Sequence, residues 1–524
     1  MNENENLKYP VDTSYFSGIR KEGLLYVDKT RYIHDLVTSG KYYFLARPRR
    51  FGKSMLLSTL HEYFKGNRTL FKDLEIDRLQ PGEWKKYPVI HLDLSGIYYR
   101  EDNDFSDHVK RIIHTLAKNF EVDLSGETIG ELFYSLIVNI NLKSSLQVVI
   151  LIDEYDDPLT KTIDRPEIQH IFREQLQAFY AVLKKADPYI QFCMLTGISR
   201  YGEVSVFSGI NNLNDISFDD RYAGICGITE EELARYYDTG IKILAAKEKI
   251  SYNSATELLK YNYDGYHFSK CLLDVYNPYS INLCLSKSEI SDYWCRSGAP
   301  ELLAKTLMSL DYDLDQLNGT LVDESDLSYL SIYNSDPVPL FFQTGYLTIK
   351  KYHKEDNLFT IGYPNREVEN GILNNILKVY VPEQPRVASV AKRLQNSLQE
   401  GEPCKFIEIL KAYLSGIPSR LKSHISRYEN YYHTIFYCLT SLIGMKVEAE
   451  YNTSEGFIDL LIKTNNYIYV IELKINGNAE DAMRQIEQKH YSSQFSTDTR
   501  QLIEIGIGFS KQTATISDYK IVRK

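Results

Sequence analysis

An α/β architecture spread over several domains is the expectation for this chain of 524 residues. Three patterns carry it. Near the start an apolar run feeds a basic loop ending in Gly-Lys-Ser and then a helical pattern; in the middle an apolar run ends in two acids; near the end two β-branched runs flank a polar pair. Alternating strand and helix patterns of this kind build sheets with helices on their faces. One hydrophobic core stops growing beyond about 250–300 residues, so the length implies roughly two to four domains.

In chain order, Lys41-Tyr42-Tyr43-Phe44-Leu45-Ala46 reads as a strand, Arg47-Pro48-Arg49-Arg50-Phe51-Gly52-Lys53-Ser54 as a loop, and residues 55–64 as a helix. Strand, loop, helix is the setting that a phosphate-binding P-loop requires. Backbone N–H groups at the helix start, in the stretch Arg49, Arg50, Phe51 and Gly52, would cradle the phosphates of ATP. Lys53 would reach the β and γ oxygens, and the Ser54 hydroxyl would ligate Mg²⁺. Arg47 stands where the Walker A pattern has its first glycine, and a plain basic loop at a helix start is the alternative.

The partner motif is Val148-Val149-Ile150-Leu151-Ile152-Asp153-Glu154. A buried strand has reason to end in two acids where its C-terminal edge faces a ligand. Asp153 would hold Mg²⁺ and Glu154 would polarise the attacking water. Residues 88–94 read as a further strand, with helices at 105–119 and 127–142, which suits an additional-strand P-loop sheet. Gln191-Phe192-Cys193-Met194-Leu195 is a strand ending at Thr196, where a sensor residue would meet the γ-phosphate or water. Arg200 could sense or neutralise charge there; equally, Thr196 is a turn residue and Arg200 a solvated one.

Beyond about residue 225 the pattern turns helical. Thr229 followed three residues later by Glu232 predicts a capping box opening a lid-like helix. Tyr263-Asp264-Gly265-Tyr266-His267 is a turn in which His267 is a packed or turn residue rather than a ligand. Strand-like residues 347–363 lie in a connector, and Pro382, Pro385 and Gly401-Glu402-Pro403 mark a boundary. The expected domains are 1–225, a lid at 226–300, a connector at 301–385, and 386–524.

In the last hundred residues Gly456-Phe457-Ile458-Asp459-Leu460-Leu461-Ile462 and Tyr467-Ile468-Tyr469-Val470-Ile471-Glu472-Leu473-Lys474 read as a hairpin around Asn465-Asn466. Strand side chains alternate faces, so Glu472 and Lys474 project together and Asp459 can lie beside them. Two carboxylates can hold Mg²⁺ on hard oxygens while a lysine orients water or steadies developing charge. The alternative is a strand pair with a surface ion pair. Isolated burial of Glu472 and Lys474 in an apolar run would be costly, which favours a site. A helix at 428–442 carries Glu429 and His433 on one face, and a helix at 479–491 carries Gln485 and Lys489 one turn apart.

Helix, strand, strand with Glu-x-Lys, helix resembles the PD-(D/E)XK nuclease core. The resemblance implies that Asp459 and Glu472 bind metal, that Lys474 assists the water, and that Glu429 joins them; Gln485 is taken with the catalytic set. Ile458 stands where the family name has Pro. Across nearly the whole length the chain resembles bacterial AAA-ATPase-like proteins with a C-terminal PD-(D/E)XK nuclease-like domain. That rests on Tyr26-Val27-Asp28-Lys29-Thr30, the loop from Arg47 to Ser54, and Asp153-Glu154-Tyr155-Asp156. It rests also on Phe207-Ser208-Gly209-Ile210-Asn211-Asn212-Leu213, Tyr263-Asp264-Gly265-Tyr266, Val275-Tyr276-Asn277-Pro278 and Gln343-Thr344-Gly345-Tyr346-Leu347. The fold it implies is an α/β multidomain chain: a P-loop NTPase sheet of the additional-strand type, a helical lid and connector, and a C-terminal PD-(D/E)XK nuclease-like α/β domain.

Composition sets limits on partners. The chain has no run long enough for a membrane span, and the polar start 1–6 has no apolar signal region, so a cytoplasmic protein is expected. Seven cysteines without a CxxC pair predict reduced core residues, with no disulfide framework or zinc site. A net charge of −10 argues against broad coating of nucleic acid. Contact with DNA or RNA would be local, through basic clusters at 386–393 and 420–427. The expected cofactors are ATP and Mg²⁺. An arginine supplied by a neighbouring subunit would imply a homo-oligomer. The competing class is an ATP-dependent signalling or interaction switch whose nuclease fold only recognises; there Lys474 would pair with a remote acid and the pocket would be closed.

Overall fold

The computed structural model describes residues 8–163, 165–200, 213–295, 303–304, 307, 310, 312, 314–328, 336–381, 387–415, 428–443, 446–453, 456–475, 477–510 and 515–524. The chain divides into two compact units, 1–298 with 319–368 and 299–318 with 369–524.

The first unit is built on a parallel sheet of β1 (Tyr42–Ala46), β2 (Val89–Asp93), β3 (Val148–Asp153), β4 (Ile190–Gly197) and β5 (Asn214–Asp215), in the order β2-β3-β4-β1-β5. β4 stands between the loop-bearing β1 and the acid-bearing β3, which is the additional-strand arrangement. The strand expected at 88–94 is β2 and lies at the edge. Strands covered on both faces need no polar alternation, and all six residues of β3 are buried. Ile150 and Ile152 pack with Phe133, Leu136, Phe172 and Phe179 from the helices Ile129–Ser144 and Pro166–Lys185. The register pairs Leu45 with Thr196 and Ile152 with Leu195, so the C-terminal ends of β1, β3 and β4 share one edge.

The same unit continues through β6 (Ile228–Thr229) and β7 (Val275–Tyr276), which pair around a helical cluster containing Leu233, Tyr237, Leu244, Leu259 and Ile281. The Thr229–Glu232 capping box is formed at the head of the helix Glu230–Tyr236. The stretch 347–363 folds as β9 (Thr348–His353) and β10 (Leu358–Gly362), with β8 (Leu321–Val322) completing a small sheet. His267 is packed: Nδ1 meets the Ile349 carbonyl at 2.6 Å and Nε2 meets Asp274 at 2.7 Å.

The second unit carries a mixed sheet, β11 (Lys446–Thr453), β12 (Gly456–Lys463), β13 (Tyr467–Ile475), β14 (Gln501–Ser510) and β15 (Thr515–Arg523), ordered as in the chain. Only β13 and β14 pair in parallel, joined by the helix Ala479–Gln488. That helix ends before the expected 491, because His490 turns the chain at φ 46°. Lys489 is its C-cap and not a helix-face partner of Gln485. Met483 and Ile486 pack on Ile468 and Val470. The fit is close at Gly506, where an added Cβ would lie 2.5 Å from the Ala479 carbonyl oxygen and 2.9 Å from Met483 Cγ. Gly506→Ala is therefore expected to lift the helix and cost about 1–3 kcal/mol in a urea unfolding series of this unit.

Candidate functional site

Beyond β1 the chain turns through Arg50 at φ 65° and Gly52 at φ 98°, and the helix Lys53–Phe64 starts at once. No side chain caps that helix and no acid stands in its first turn, so its leading N–H groups and positive dipole end suit an anion. Lys53 Nζ reaches back to the carbonyls of Arg47 at 3.0 Å and Pro48 at 3.2 Å, drawing the loop around the ammonium. Phe51 is buried edge-on against Tyr266 and Phe268 and anchors the loop.

Arg47 serves as a strut. Its guanidinium is 2% exposed and donates to the carbonyls of Ala46, Ser217 and Tyr222 while lying 4.2 Å over the Phe268 ring. Burial draws its pKa down to about 10. The side chain leaves the loop altogether, so an arginine in place of the first Walker glycine does not fill the phosphate cradle.

The acids lie at the neighbouring strand ends. Thr196 Oγ1 donates to Asp153 Oδ1 at 2.6 Å, and the Glu154 N–H donates to the same oxygen at 3.1 Å. Glu154 turns out of β3 in the left-handed region at φ 53°. Burial pushes its carboxyl up; Lys53 opposes that, while Asp156 and Asp153 add to it. Residues 49–56 and Glu154 line a cavity of about 720 Å³ whose other walls include Lys29, Tyr237, Tyr279 and Asn282. Arg50 stacks 4.0 Å over Tyr279. The Arg200 side chain is bonded instead to Asp215 at 2.6 Å and lies over the Phe218 ring. Asp156, which sequence reasoning left without a role, is fully buried and accepts the N–H groups of Ile198 and Ser199. Its signal was the third acid of the run Asp153-Glu154-Tyr155-Asp156 that closes β3.

In the second unit the β12–β13 ladder stops at Leu460 paired with Ile471. Past that point the strands no longer share ladder bonds, and Asp459 Oδ2 accepts the Leu473 N–H at 2.7 Å. Glu472 is fully buried; its Oε1 meets Lys474 Nζ at 3.1 Å, and its Oε2 has no hydrogen-bond partner. Burial and then the Asp459 charge push the Glu472 carboxyl up to about 7, with Lys474 opposing. Gln485 Nε2 donates to the Tyr491 hydroxyl at 3.3 Å, and that hydroxyl, raised by burial, feels the charges of Glu472 and Asp459. Tyr491 was missed in the sequence because a helix was expected to carry it.

The helix Tyr428–Leu442 is present, while the Glu429 and His433 side chains lie outside the described residues, as do 207–212, 382–386 and 420–427. Among the described residues no group of three or more His, Cys, Asp or Glu could hold a metal. Two adjacent carboxylates with one buried, unbonded oxygen still fit a hard cation that keeps several of its waters. Ser54 and Asp153 offer oxygen donors of the same hardness in the first unit. All seven cysteines are free. Among the described residues no helix is long and apolar enough to cross a membrane.

Comparison with known proteins finds a match for each of two stretches of the chain. The family model described as predicted AAA-ATPase matches residues 10–207, and the one described as PD-(D/E)XK nuclease superfamily matches residues 427–519. An uncharacterized protein in the vnfD 5′ region of Azotobacter chroococcum mcd 1 is 30% identical over 523 residues, 98% of each chain. The chain thus belongs to the family of AAA-ATPase-like proteins that carry a C-terminal domain of the PD-(D/E)XK nuclease superfamily.

Proposed function

We infer that the first unit binds and hydrolyses ATP with Mg²⁺ and that the second cuts nucleic acid with a divalent metal under its control. The observation that carries the reading is Glu472: a fully buried carboxylate with one oxygen unbonded, beside Asp459 and Lys474 at the point where two strands part. A fold has little reason to bury such an oxygen unless something else bonds it. The switch reading expects Lys474 on a remote acid, whereas Lys474 is bonded to Glu472.

A bound metal would supply Lewis acidity to a phosphoryl oxygen and a more acidic water. Asp459 and Glu472 would hold it, and Lys474, part-exposed, would face the phosphate and steady developing charge. Gln485 and Tyr491 would fix the carboxylate wall. In the first unit Lys53 would leave the loop carbonyls for the β and γ oxygens, and Ser54 and Asp153 would hold Mg²⁺. Glu154, made more basic by burial, would take the proton of the attacking water. Arg200 would need to leave Asp215 to reach a phosphate.

The test is cleavage of single- and double-stranded DNA and RNA with Mg²⁺ or Mn²⁺, with and without ATP, in wild type and in Lys53→Ala. Lys53→Ala is expected to lower ATP affinity roughly 100-fold, as loss of a charge-assisted phosphate contact implies, and to remove any ATP effect on cutting. ATP turnover with no cleavage of any substrate would sink the nuclease half and leave the switch.

A further inference from the structure

Trp294 joins two parts of the first unit that are far apart in the chain. Its indole is 2% exposed; Nε1 donates to the Arg49 carbonyl at 3.0 Å, and its ring packs 4.9 Å from Tyr346. Its backbone N–H donates to Glu367 Oε1 at 2.6 Å; the same oxygen accepts the Tyr293 N–H, and Oε2 accepts the Ser280 hydroxyl at 2.7 Å. Glu367 is 1% exposed and is the second residue of the helix Arg366–Tyr380. The chain passes from the first unit to the second within that helix.

Residues 343–345 also meet the loop at Pro48 and the exit of β4 at Arg200. Gly345, at φ +89°, lies so close to Pro48 that an added Cβ would sit 2.7 Å from the proline Cβ. Gln343 Oε1 accepts the Arg200 N–H at 2.8 Å while its amide donates to the Leu327 carbonyl. The Arg49 carbonyl and the Arg50 N–H belong to one planar peptide and point in opposite directions. A donor that fixes the carbonyl therefore fixes the aim of that N–H, which stands in the stretch that would cradle phosphate.

We propose that Trp294 is a positioning residue that sets the Arg50 peptide for phosphate and couples nucleotide binding, through Glu367, to the start of the helix Arg366–Tyr380. The proposal rests on the ATP-binding reading of the first unit. Coupling of this kind is reciprocal: a nucleotide that orders the Arg49 peptide tightens the Trp294 bond, and a shift at Glu367 changes nucleotide affinity by the same factor.

The experiment uses the full chain and its two tryptophans, Trp84 and Trp294. In Trp84→Phe the emission of Trp294 is expected to change on addition of ATP, with the midpoint found by equilibrium dialysis. Trp294→Phe keeps an aromatic ring against Tyr346 and removes the Nε1–H donor. It is expected to weaken ATP binding about tenfold, the loss of one well-placed hydrogen bond, and to lower the melting temperature by a few degrees while the chain stays folded at room temperature. Amide exchange over residues 366–380, slowed by ATP in wild type, is expected to be indifferent to ATP in Trp294→Phe. Glu367→Gln, which keeps a carbonyl acceptor for the two N–H donors, is expected to retain most of the wild-type exchange response. If wild type and Trp84→Phe bind no nucleotide, the ATP reading fails and takes the proposal with it. If both bind ATP, Lys53→Ala does not, and Trp294→Phe matches wild type in affinity and exchange, the proposal alone is overturned. A silent Trp294 in a variant that binds ATP overturns it as well.

Discussion

Glu472→Gln is expected to lower metal-dependent cleavage by roughly a thousandfold or more and, at the same time, to make the second unit more stable. The functional loss follows from the ligand set, since an amide is a neutral and weaker donor to a hard cation than a carboxylate. The stability gain follows from burial. Glu472 is fully buried with Oε2 unbonded, and Asp459 beside it adds like charge. Gln keeps a polar atom at that position but removes the buried charge, a gain of about 1–3 kcal/mol that appears as pH rises toward and above 7. The pH dependence has a definite sign. The carboxyl is raised from 4.5 to about 7 by folding, so the folded chain holds its proton where the unfolded chain has lost it. Stability is then full below pH 4.5, falls as pH rises toward about 7, and stays at the lower level above it. Thermal unfolding at pH 5 and pH 8 should show wild type losing stability between the two relative to Glu472→Gln. Mg²⁺ should restore stability at pH 8 in wild type alone, because a bound cation takes the place of the missing proton. A variant as metal-responsive as wild type would rule Glu472 out as a ligand.

What could be read in the sequence follows from where each signal is encoded. β3 and β4 are largely buried, so β3 is apolar up to its last residue and β4 is apolar from Phe192 to Leu195, and the acids that close β3 stand out against them. Asp459, Glu472 and Lys474 were legible because the two-residue period of a strand fixes which side chains share a face. β11, β14 and β15 were not anticipated. β11 is rich in charge, β14 is interrupted by Gly506 and Gly508, and β15 is an edge strand with four consecutive exposed residues. The glycines of β14 are explained only by the helix Ala479–Gln488 lying on them. Arg47 is the clearest case of information held elsewhere, since Ser217, Tyr222 and Phe268 are about 170 residues or more further along the chain. Tyr491 was hidden for a local reason: the left-handed turn at His490 that swings it inward has no glycine to announce it.

Asp156→Ala is expected to cost the first unit about 3–5 kcal/mol and to stop ATP turnover in whatever fraction still folds. Four contacts lace the exits of β3 and β4 together: Thr196 Oγ1 to Asp153, the Tyr155 N–H to the Thr196 carbonyl, the Asp156 carboxylate to the Ile198 and Ser199 N–H groups, and the Tyr155 hydroxyl to the Ser199 carbonyl. Gly197 lies inside this lacing with no room for a side chain, since a Cβ would come within 2.5 Å of both Asp156 Oδ1 and the Tyr155 ring. Truncating Asp156 leaves two buried N–H groups without an acceptor, and each carries a desolvation cost of about 1–3 kcal/mol. The effect should reach the chemistry because the same lacing sets Thr196 against Asp153. Asp156→Asn separates the two consequences. Its amide oxygen can still accept from Ser199, and it is free of the burial cost that pushes the Asp156 carboxyl up. It should lose about 1–2 kcal/mol, remain folded at room temperature, and bind ATP with slowed turnover. Urea unfolding with unchanged slope, read beside single-turnover hydrolysis, measures both. An alanine variant within about 1 kcal/mol of wild type would mean that the Ile198 and Ser199 amides find other acceptors and that the lacing does not hold this edge of the sheet.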